Sequence, residues 1–145
     1  MALESAEAAG TLALSPDQSV LAIADPDGRA VWSYRIAPDG TLRDGQPFFR
    51  VERPEAGPAA LGGMTVDSEG FLYVASAVGV QVFDQPGRLN AILAGPPGPP
   101  PSRIVFAGPQ LDTLYAAAGD KLFRRTLRRK GVWPGQAVKP PTPRL

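Results

Sequence analysis

Cysteine and histidine are both absent from this 145-residue chain, and methionine occurs only twice. Without cysteine there is no disulfide and no thiolate metal site, and redox chemistry gives no clue to compartment. Without histidine there is no imidazole general base, no imidazole zinc ligand and no Ser-His-Asp arrangement. A metal would have to be held by oxygen ligands, which points to calcium- or magnesium-like chemistry. An excess of either charge is missing too, with 15 Lys and Arg against 14 Asp and Glu. A general electrostatic grip on nucleic acid or on an anionic membrane is therefore not expected. No apolar run nears the roughly 18 residues of a membrane helix. The opening Met1-Ala-Leu-Glu-Ser-Ala-Glu-Ala-Ala-Gly10 is Ala-rich and acidic, unlike the basic start and apolar centre of a secretory signal. As written, the chain reads as cytoplasmic; a longer parent leaves a periplasmic or secreted location open.

What the chain has in quantity is turn chemistry, with 16 glycines and 17 prolines. They fall in Pro16-Asp17, Asp25-Pro-Asp-Gly28, Pro38-Asp-Gly40, Asp44-Gly45, Ser68-Glu-Gly70 and Gln85-Pro-Gly87. Proline presets a negative φ and glycine accepts a positive one, so each reads as a turn. Between the turns lie short β-prone stretches, and beyond the first ten residues no segment keeps a helical apolar period. The chain is expected to be all-β.

A strand-turn-strand phrase recurs three times. Leu12-Ala-Leu-Ser-Pro-Asp-Gln-Ser-Val-Leu-Ala-Ile-Ala-Asp25 is answered by Gly63-Met-Thr-Val-Asp-Ser-Glu-Gly-Phe-Leu-Tyr-Val-Ala-Ser76 and by Ser102-Arg-Ile-Val-Phe-Ala-Gly-Pro-Gln-Leu-Asp-Thr-Leu-Tyr-Ala-Ala-Ala118. Leu12 and Met64 are 52 residues apart and Met64 and Ile104 are 40 apart, close to the period of one propeller blade, about 40 to 50 residues. The first unit is expected to use Thr11–Leu14, Val20–Ala24, Ala30–Ile36 and Phe48–Val51. The second uses Gly63–Val66, Phe71–Ser76, Val80–Phe83 and Leu89–Leu93. The third uses Arg103–Ala107, Thr113–Ala117 and Lys121–Leu127, with no clear fourth strand. The organisation is a lead-in over 1–10, blades over about 11–60, 61–98 and 102–130, and a Pro-rich tail over 131–145. Three blades do not close a ring, which needs about four to eight. The fold class is thus a β-propeller fragment of about three blades.

Two stretches stand apart. Gly95-Pro-Pro-Gly-Pro-Pro-Pro101 has few ladder donors and is expected to be an extended connector between blades. Lys121, Arg124, Arg125, Arg128, Arg129 and Lys130 crowd one run. They are read as a solvated edge strand whose like charges discourage strand-on-strand pairing. Only Phe123 lies within the run, short of the interleaved aromatics of a base-stacking surface.

The phrases Leu12-Ala-Leu-Ser-Pro-Asp17, Gly63-Met-Thr-Val-Asp-Ser-Glu-Gly-Phe-Leu-Tyr-Val-Ala75 and Val105-Phe-Ala-Gly-Pro-Gln-Leu-Asp-Thr-Leu-Tyr115 resemble the regucalcin/gluconolactonase/luciferin-regenerating-enzyme family from about residue 9 to 130. The resemblance implies the C-terminal three blades of a six-bladed propeller. It also implies a divalent metal, often calcium, at the channel mouth and hydrolysis of sugar lactones. The metal ligands it implies are a Glu in the first blade, an Asn before the Gly-Leu-Ala-like phrase and an Asp before Gly-Met. Carried onto this sequence, the Asn falls on Gly10 and the Asp on Gly62, while the Glu belongs to blades outside this chain. Glycine offers no side-chain oxygen, so no catalytic, cofactor or metal residue is assigned and the chain is read as inactive alone.

The remaining carboxylates are read as structural. Asp17, Asp67 and Asp112 fall at or near the first turn of each unit and are expected to cap it by accepting backbone N–H groups. Asp25 and Asp27 alternate as calcium-loop ligands would, but the next alternate position is the cation Arg29, so Asp25–Gly28 is a turn. Glu52 and Glu55 flank Pro54 on a loop and are expected to be solvated. Trp32 and Tyr34 share a strand face and are expected to pack between blades. Three functional readings follow: an inactive lactonase-type half, a module that closes its ring with a second copy or a separate N-terminal half, and a hydrolase whose Glu comes from a partner. A small lactone is a substrate only if the site is completed.

Overall fold

The computed structural model describes residues 10–25, 28–95 and 97–136. Closely spaced turns keep the strands short, and among the described residues there are eleven: β1 (Thr11–Leu14), β2 (Val20–Ala24), β3 (Ala30–Ile36), β4 (Leu42–Arg50), β5 (Met64–Val66), β6 (Leu72–Ser76), β7 (Gly79–Phe83), β8 (Leu89–Leu93), β9 (Arg103–Ala107), β10 (Thr113–Ala118) and β11 (Lys121–Thr126). They form three antiparallel meanders, β1-β2-β3-β4, β5-β6-β7-β8 and β9-β10-β11. The first strands sit side by side, β1 against β5 and β5 against β9. Among the described residues no helix is long and apolar enough to cross a membrane.

Successive strand residues point to opposite faces, and each meander is apolar on the face that meets its neighbour. Ala13, Ala22, Ala24, Val31 and Phe49 of the first blade pack against Met64, Leu72, Val74 and Phe83 of the second. The opposite face of the second blade, with Tyr73, Ala75, Val80 and Val82, packs against Ile104, Phe106 and Leu114 of the third. Edge-on ring pairs lock both seams, Phe49 with Phe83 at 5.6 Å between centroids and Tyr73 with Phe106 at 5.1 Å.

The structure revises three expectations. The fourth strand of the first blade begins at Leu42, well before Phe48, and Asp44-Gly45 lies inside it. Arg35 pairs Arg43 while Ser33 pairs Gln46, so one extra residue is accommodated there as a β-bulge. Asp44 takes the bulge's positive φ of 55° and its carboxylate meets Arg35 at 3.1 Å. Gly45 lies under the Tyr34 ring, where a Cβ would collide. A bulge and a turn use the same Asp-Gly chemistry, so composition could not separate them. Pro47 is tolerated because β4 is the outer strand and no ladder donor is needed on its open side.

Trp32 and Tyr34 stack at 6.3 Å on one face of β3, as expected. That face, however, is opposite the one carrying Val31, and Val31 is the residue buried against the second blade. The aromatic pair therefore covers the outer side of the first blade. The physical reason is the alternation itself: two adjacent strand residues cannot share one seam.

Finally, the basic run is split. Lys121, Arg124 and Arg125 lie on the exposed outer strand β11, but Arg129 turns inward to the second blade. The chain beyond β11 crosses beneath the third blade. Leu127 N–H donates to Asp112 O at 2.7 Å, Gly131 N–H to Leu111 O at 2.7 Å and Ser68 N–H to Lys130 O at 2.8 Å. The expected lead-in before Gly10, Asp27, and the tail from Ala137 to Leu145 lie outside the described residues, as does Pro96 of the connector.

Candidate functional site

The three blades place an equivalent residue just ahead of each first strand. Gly10 N–H donates to Ala24 O at 3.0 Å, Gly62 N–H to Ala75 O at 2.8 Å and Ser102 N–H to Ala117 O at 2.8 Å. In every case the acceptor lies at or near the end of the second strand. Gly10, Gly62 and Ser102 therefore share one end of the side-by-side first strands, the end at which the family resemblance would put the metal-bearing mouth. Ser102 was not singled out from sequence, although its 40-residue distance from Gly62 repeats the Met64–Ile104 spacing.

Between the second and third blades the mouth is pinched. Gly63 N–H donates to Ser102 O at 2.7 Å across the seam. A Cβ on Gly62 would stand 2.7 Å from Ser102 O and 3.0 Å from Ser102 Cα, both backbone atoms that cannot swing aside. Only glycine fits at position 62 in this arrangement. Gly62→Asp is expected to cost about 1–3 kcal/mol through overpacking, measured by urea unfolding; an unchanged midpoint would mean the seam opens freely.

A buried polar group supports the same end. Gln81 is fully buried and holds the backbone of Glu52 on both sides: its Oε1 accepts from Glu52 N–H at 2.8 Å and its Nε2 donates to Glu52 O at 2.9 Å. Nε2 also donates to Ser76 Oγ at 3.0 Å, and that hydroxyl donates to Gly79 O at 2.8 Å. The connector from the first blade is thereby tied to β7. Glu52 and Glu55 themselves are exposed, as the sequence suggested. Asp25 follows β2 at the mouth, where its carbonyl accepts from Gly28 N–H at 3.0 Å.

The expected turn carboxylates lie at the other end of the strands. Asp17 accepts from the Ser15 hydroxyl at 2.6 Å, the Ser19 hydroxyl at 2.7 Å and Ser19 N–H at 3.1 Å. These bonds, the Ser15 hydroxyl first, hold its pKa below the usual Asp range. Asp112 accepts from the Thr113 hydroxyl at 3.3 Å. Asp67 is a cap of a different order. It is wholly buried and accepts from Glu69 N–H at 2.9 Å, Phe71 N–H at 3.0 Å, the Tyr73 hydroxyl at 3.2 Å and Arg129 Nη1 at 3.1 Å. Burial raises its pKa against the pull of those donors. Burial, then the Asp67 charge, also raises the Tyr73 hydroxyl, which stays protonated and donates. Arg129 Nη1 reaches Glu69 at 2.7 Å as well, and its guanidinium lies 3.5 Å over the Phe71 ring. Neither this clasp nor the Gln81 staple was legible in the sequence.

No three Asp or Glu side chains converge in a metal-holding arrangement among the described residues. Among the described residues, hollows occur away from the mouth positions. One of about 490 Å³ lies on the outside of the first blade, beside Ser19, Arg35, Pro38 and Arg43. The other, about 250 Å³, lies between Val80, Leu93, Leu114 and Phe123 of the outer second and third blades.

Antiparallel meanders packed face to face, with their first strands adjacent, define three blades of a β-propeller. The chain belongs to the SMP-30/gluconolactonase/LRE-like family, whose description matches residues 1–119. It is 32% identical over 118 residues to a gluconolactonase of Zymomonas mobilis, covering 78% of this chain and 33% of that protein. It superposes on a luciferin-regenerating enzyme with a TM-score of 0.73 and 28% identity, over 85% of this chain and 46% of that one. A gluconolactonase from Xanthomonas campestris aligns with a TM-score of 0.69 and 29% identity, over 82% of this chain and 37% of its own. The chain thus spans between a third and about half of these relatives.

Proposed function

We propose that this chain supplies half of a lactone-hydrolase-type propeller and does not hydrolyse lactones by itself. The observation that carries the reading is the pinched mouth. The family resemblance puts an Asn at position 10 and an Asp at position 62 among the ligands of a divalent metal, and both are glycine here. The donor set does not fit the ion: no side-chain oxygen is offered at either place, and the space for one at Gly62 is taken by Ser102 backbone. A hard cation needs several oxygen ligands, carboxylates above all. The carboxylates Asp17, Asp67 and Asp112 are at the far end of the strands and engaged with their own turns.

The test is calcium titration calorimetry on the purified chain alongside sugar-lactone hydrolysis followed by acid release. No saturable heat is expected below about 1 mM calcium, and hydrolysis is expected at the uncatalysed rate with or without metal. Metal-dependent turnover by the chain alone would sink the proposal.

A second reading is that the chain is an interaction module that completes its ring with a second copy or with a separately encoded N-terminal half. It is favoured by the apolar outer face of the first blade, where Leu12, Leu14 and Trp32 are all exposed.

A further inference from the structure

The two seams of the molecule are built on one register, so their residues can be compared place by place. Ala24, Ala75 and Ala117 accept from the Gly10, Gly62 and Ser102 amides, and they pair Val31, Val80 and Leu122. Counting along the strands from these pairs, Leu72 corresponds to Leu114, Val74 to Ala116, Gln81 to Phe123 and Phe83 to Arg125. On the other side of each seam, Val31 pairs Phe49 as Val80 pairs Leu93, so Phe49 corresponds to Leu93.

The first seam is filled at these places. Phe83 is wholly buried, meets Phe49 edge-on and packs in one cluster with Leu72 and Val74. The second seam lacks that filling: leucine stands for one ring, arginine for the other and alanine for the valine. Gln81, whose amide clamps Glu52 of the first connector, is replaced by Phe123, which has no polar atom to do so. The hollow of about 250 Å³ lies there, lined by Leu93, Leu114, Ala116, Phe123 and Arg125, with Arg124 beside them. Arg125 pairs Leu114, and paired residues share a face of the sheet, so its side chain leaves toward the second blade. Among the described residues neither arginine has an ion pair, and no carboxylate lines the hollow.

We infer that the hollow between the second and third blades binds a small aromatic carboxylate. The ring takes the space that the Phe49–Phe83 contact fills in the first seam, and the carboxylate meets Arg125. An apolar space with a guanidinium at its rim matches a ligand with one apolar and one anionic end. The guanidinium donates two parallel N–H bonds to a carboxylate, a geometry that fixes the ligand's orientation. Phe123 offers the ligand ring an aromatic neighbour, as Phe49 does for Phe83. Both walls belong to this chain, and Gly10 and Gly62 take no part, so binding there is independent of lactone turnover.

The test is titration of benzoate into the isotopically labelled chain, followed by amide chemical shifts, with benzamide and acetate as controls. Half-saturation on the order of 1 mM is expected for so small a ligand, with the largest shifts at Leu93, Ala116 and Phe123. Benzamide keeps the ring without the charge and acetate the charge without the ring; each is expected to bind about tenfold more weakly or worse. Arg125→Gln is expected to weaken benzoate about tenfold and to leave benzamide unchanged. Arg125→Phe puts the first seam's residue into the second, and is expected to abolish benzoate binding and raise the urea midpoint. Arg125 is exposed, so both variants are expected to keep the fold, which far-ultraviolet spectra verify. No saturable shift at these residues would overturn the inference, as would shifts of equal size at Phe83. Unchanged benzoate affinity in Arg125→Gln would overturn it too, because the carboxylate would then sit elsewhere. So would an Arg125→Phe chain that still binds, or acetate binding as tight as benzoate, which would reduce the site to a surface cation.

Discussion

Arg129→Ala is expected to lower the unfolding free energy by about 3–5 kcal/mol. The Asp67 side chain is 1% exposed, and Arg129 brings it the only cation shown within ion-pairing distance among the described residues. Without the guanidinium, the carboxylate keeps two backbone amides and the Tyr73 hydroxyl but remains an uncompensated charge away from water. The arginine also covers Phe71 and tethers exposed Glu69, so apolar contact is lost with the charge. Arg129→Lys is expected to fall between, since an ammonium keeps the charge but loses the planar stacking over the ring. Adding Asp67→Asn to Arg129→Ala is expected to recover part of the loss, because the stranded charge is gone. Urea unfolding of the four chains measures this. A cost below about 1 kcal/mol for Arg129→Ala would mean the pair behaves as an exposed one.

The same carboxylate gives a pH signature with a definite sign. Burial raises the Asp67 pKa in the folded chain, so the folded state holds that proton more tightly than the unfolded state does. The resulting stabilisation is full below the ordinary Asp range and is lost as pH rises through it toward the raised value. The stability of the unmodified chain relative to Asp67→Asn is therefore expected to fall as pH rises from 3 to 7. A relative stability that climbs with pH would show that Arg129 and the two amides outweigh burial.

Phe83→Ala is expected to cost about 3–5 kcal/mol. Phe83 is fully buried in the seam between the first two blades, edge-on to Phe49 and within one cluster with Leu72 and Val74. Truncation leaves a cavity bounded by two rigid sheets, which can collapse only by sliding one blade along the other. Set against a domain stability of about 5–15 kcal/mol, the loss is a large share. It is expected to move the thermal midpoint by roughly 10–15 °C. Leu122→Ala, on an exposed face, is expected to leave the midpoint of the isolated chain nearly unchanged. Equal shifts for the two would mean the seam carries little of the stability.

The blade pattern was legible because strand period and turn chemistry are local. Val20–Ala24, Ala30–Ile36, Leu89–Leu93 and Arg103–Ala107 could be bounded from their own residues and their flanking Gly, Pro and Asp. The start of β4 could not, because its first half is polar and holds an Asp-Gly pair that reads as a turn when its neighbour Tyr34 is not in view. The sequence has two glycines, Gly10 and Gly62, where the family resemblance leads one to look for oxygen. What sealed Gly62 was not, because Ser102 is 40 residues away and acts through its backbone. Arg129 was hidden in a run of like residues. Beside Lys121, Arg124, Arg125 and Arg128, nothing in the sequence marks Arg129 as the one whose length and placement reach a buried acid.

The reach of that clasp also bears on the order in which the protein is made. Asp67 and Arg129 are 62 residues apart, while hydrogen bonding within each blade is confined to neighbouring strands. At about 5–20 residues per second, the ribosome adds Arg129 roughly 3 to 12 s after Asp67. Over that interval the second blade has its ladder but a charge in its floor with no counterion, so it is best served by staying protonated, hydrated or unpacked there. If the blades fold as they are made, the second is sealed only after the third, by the segment that follows β11.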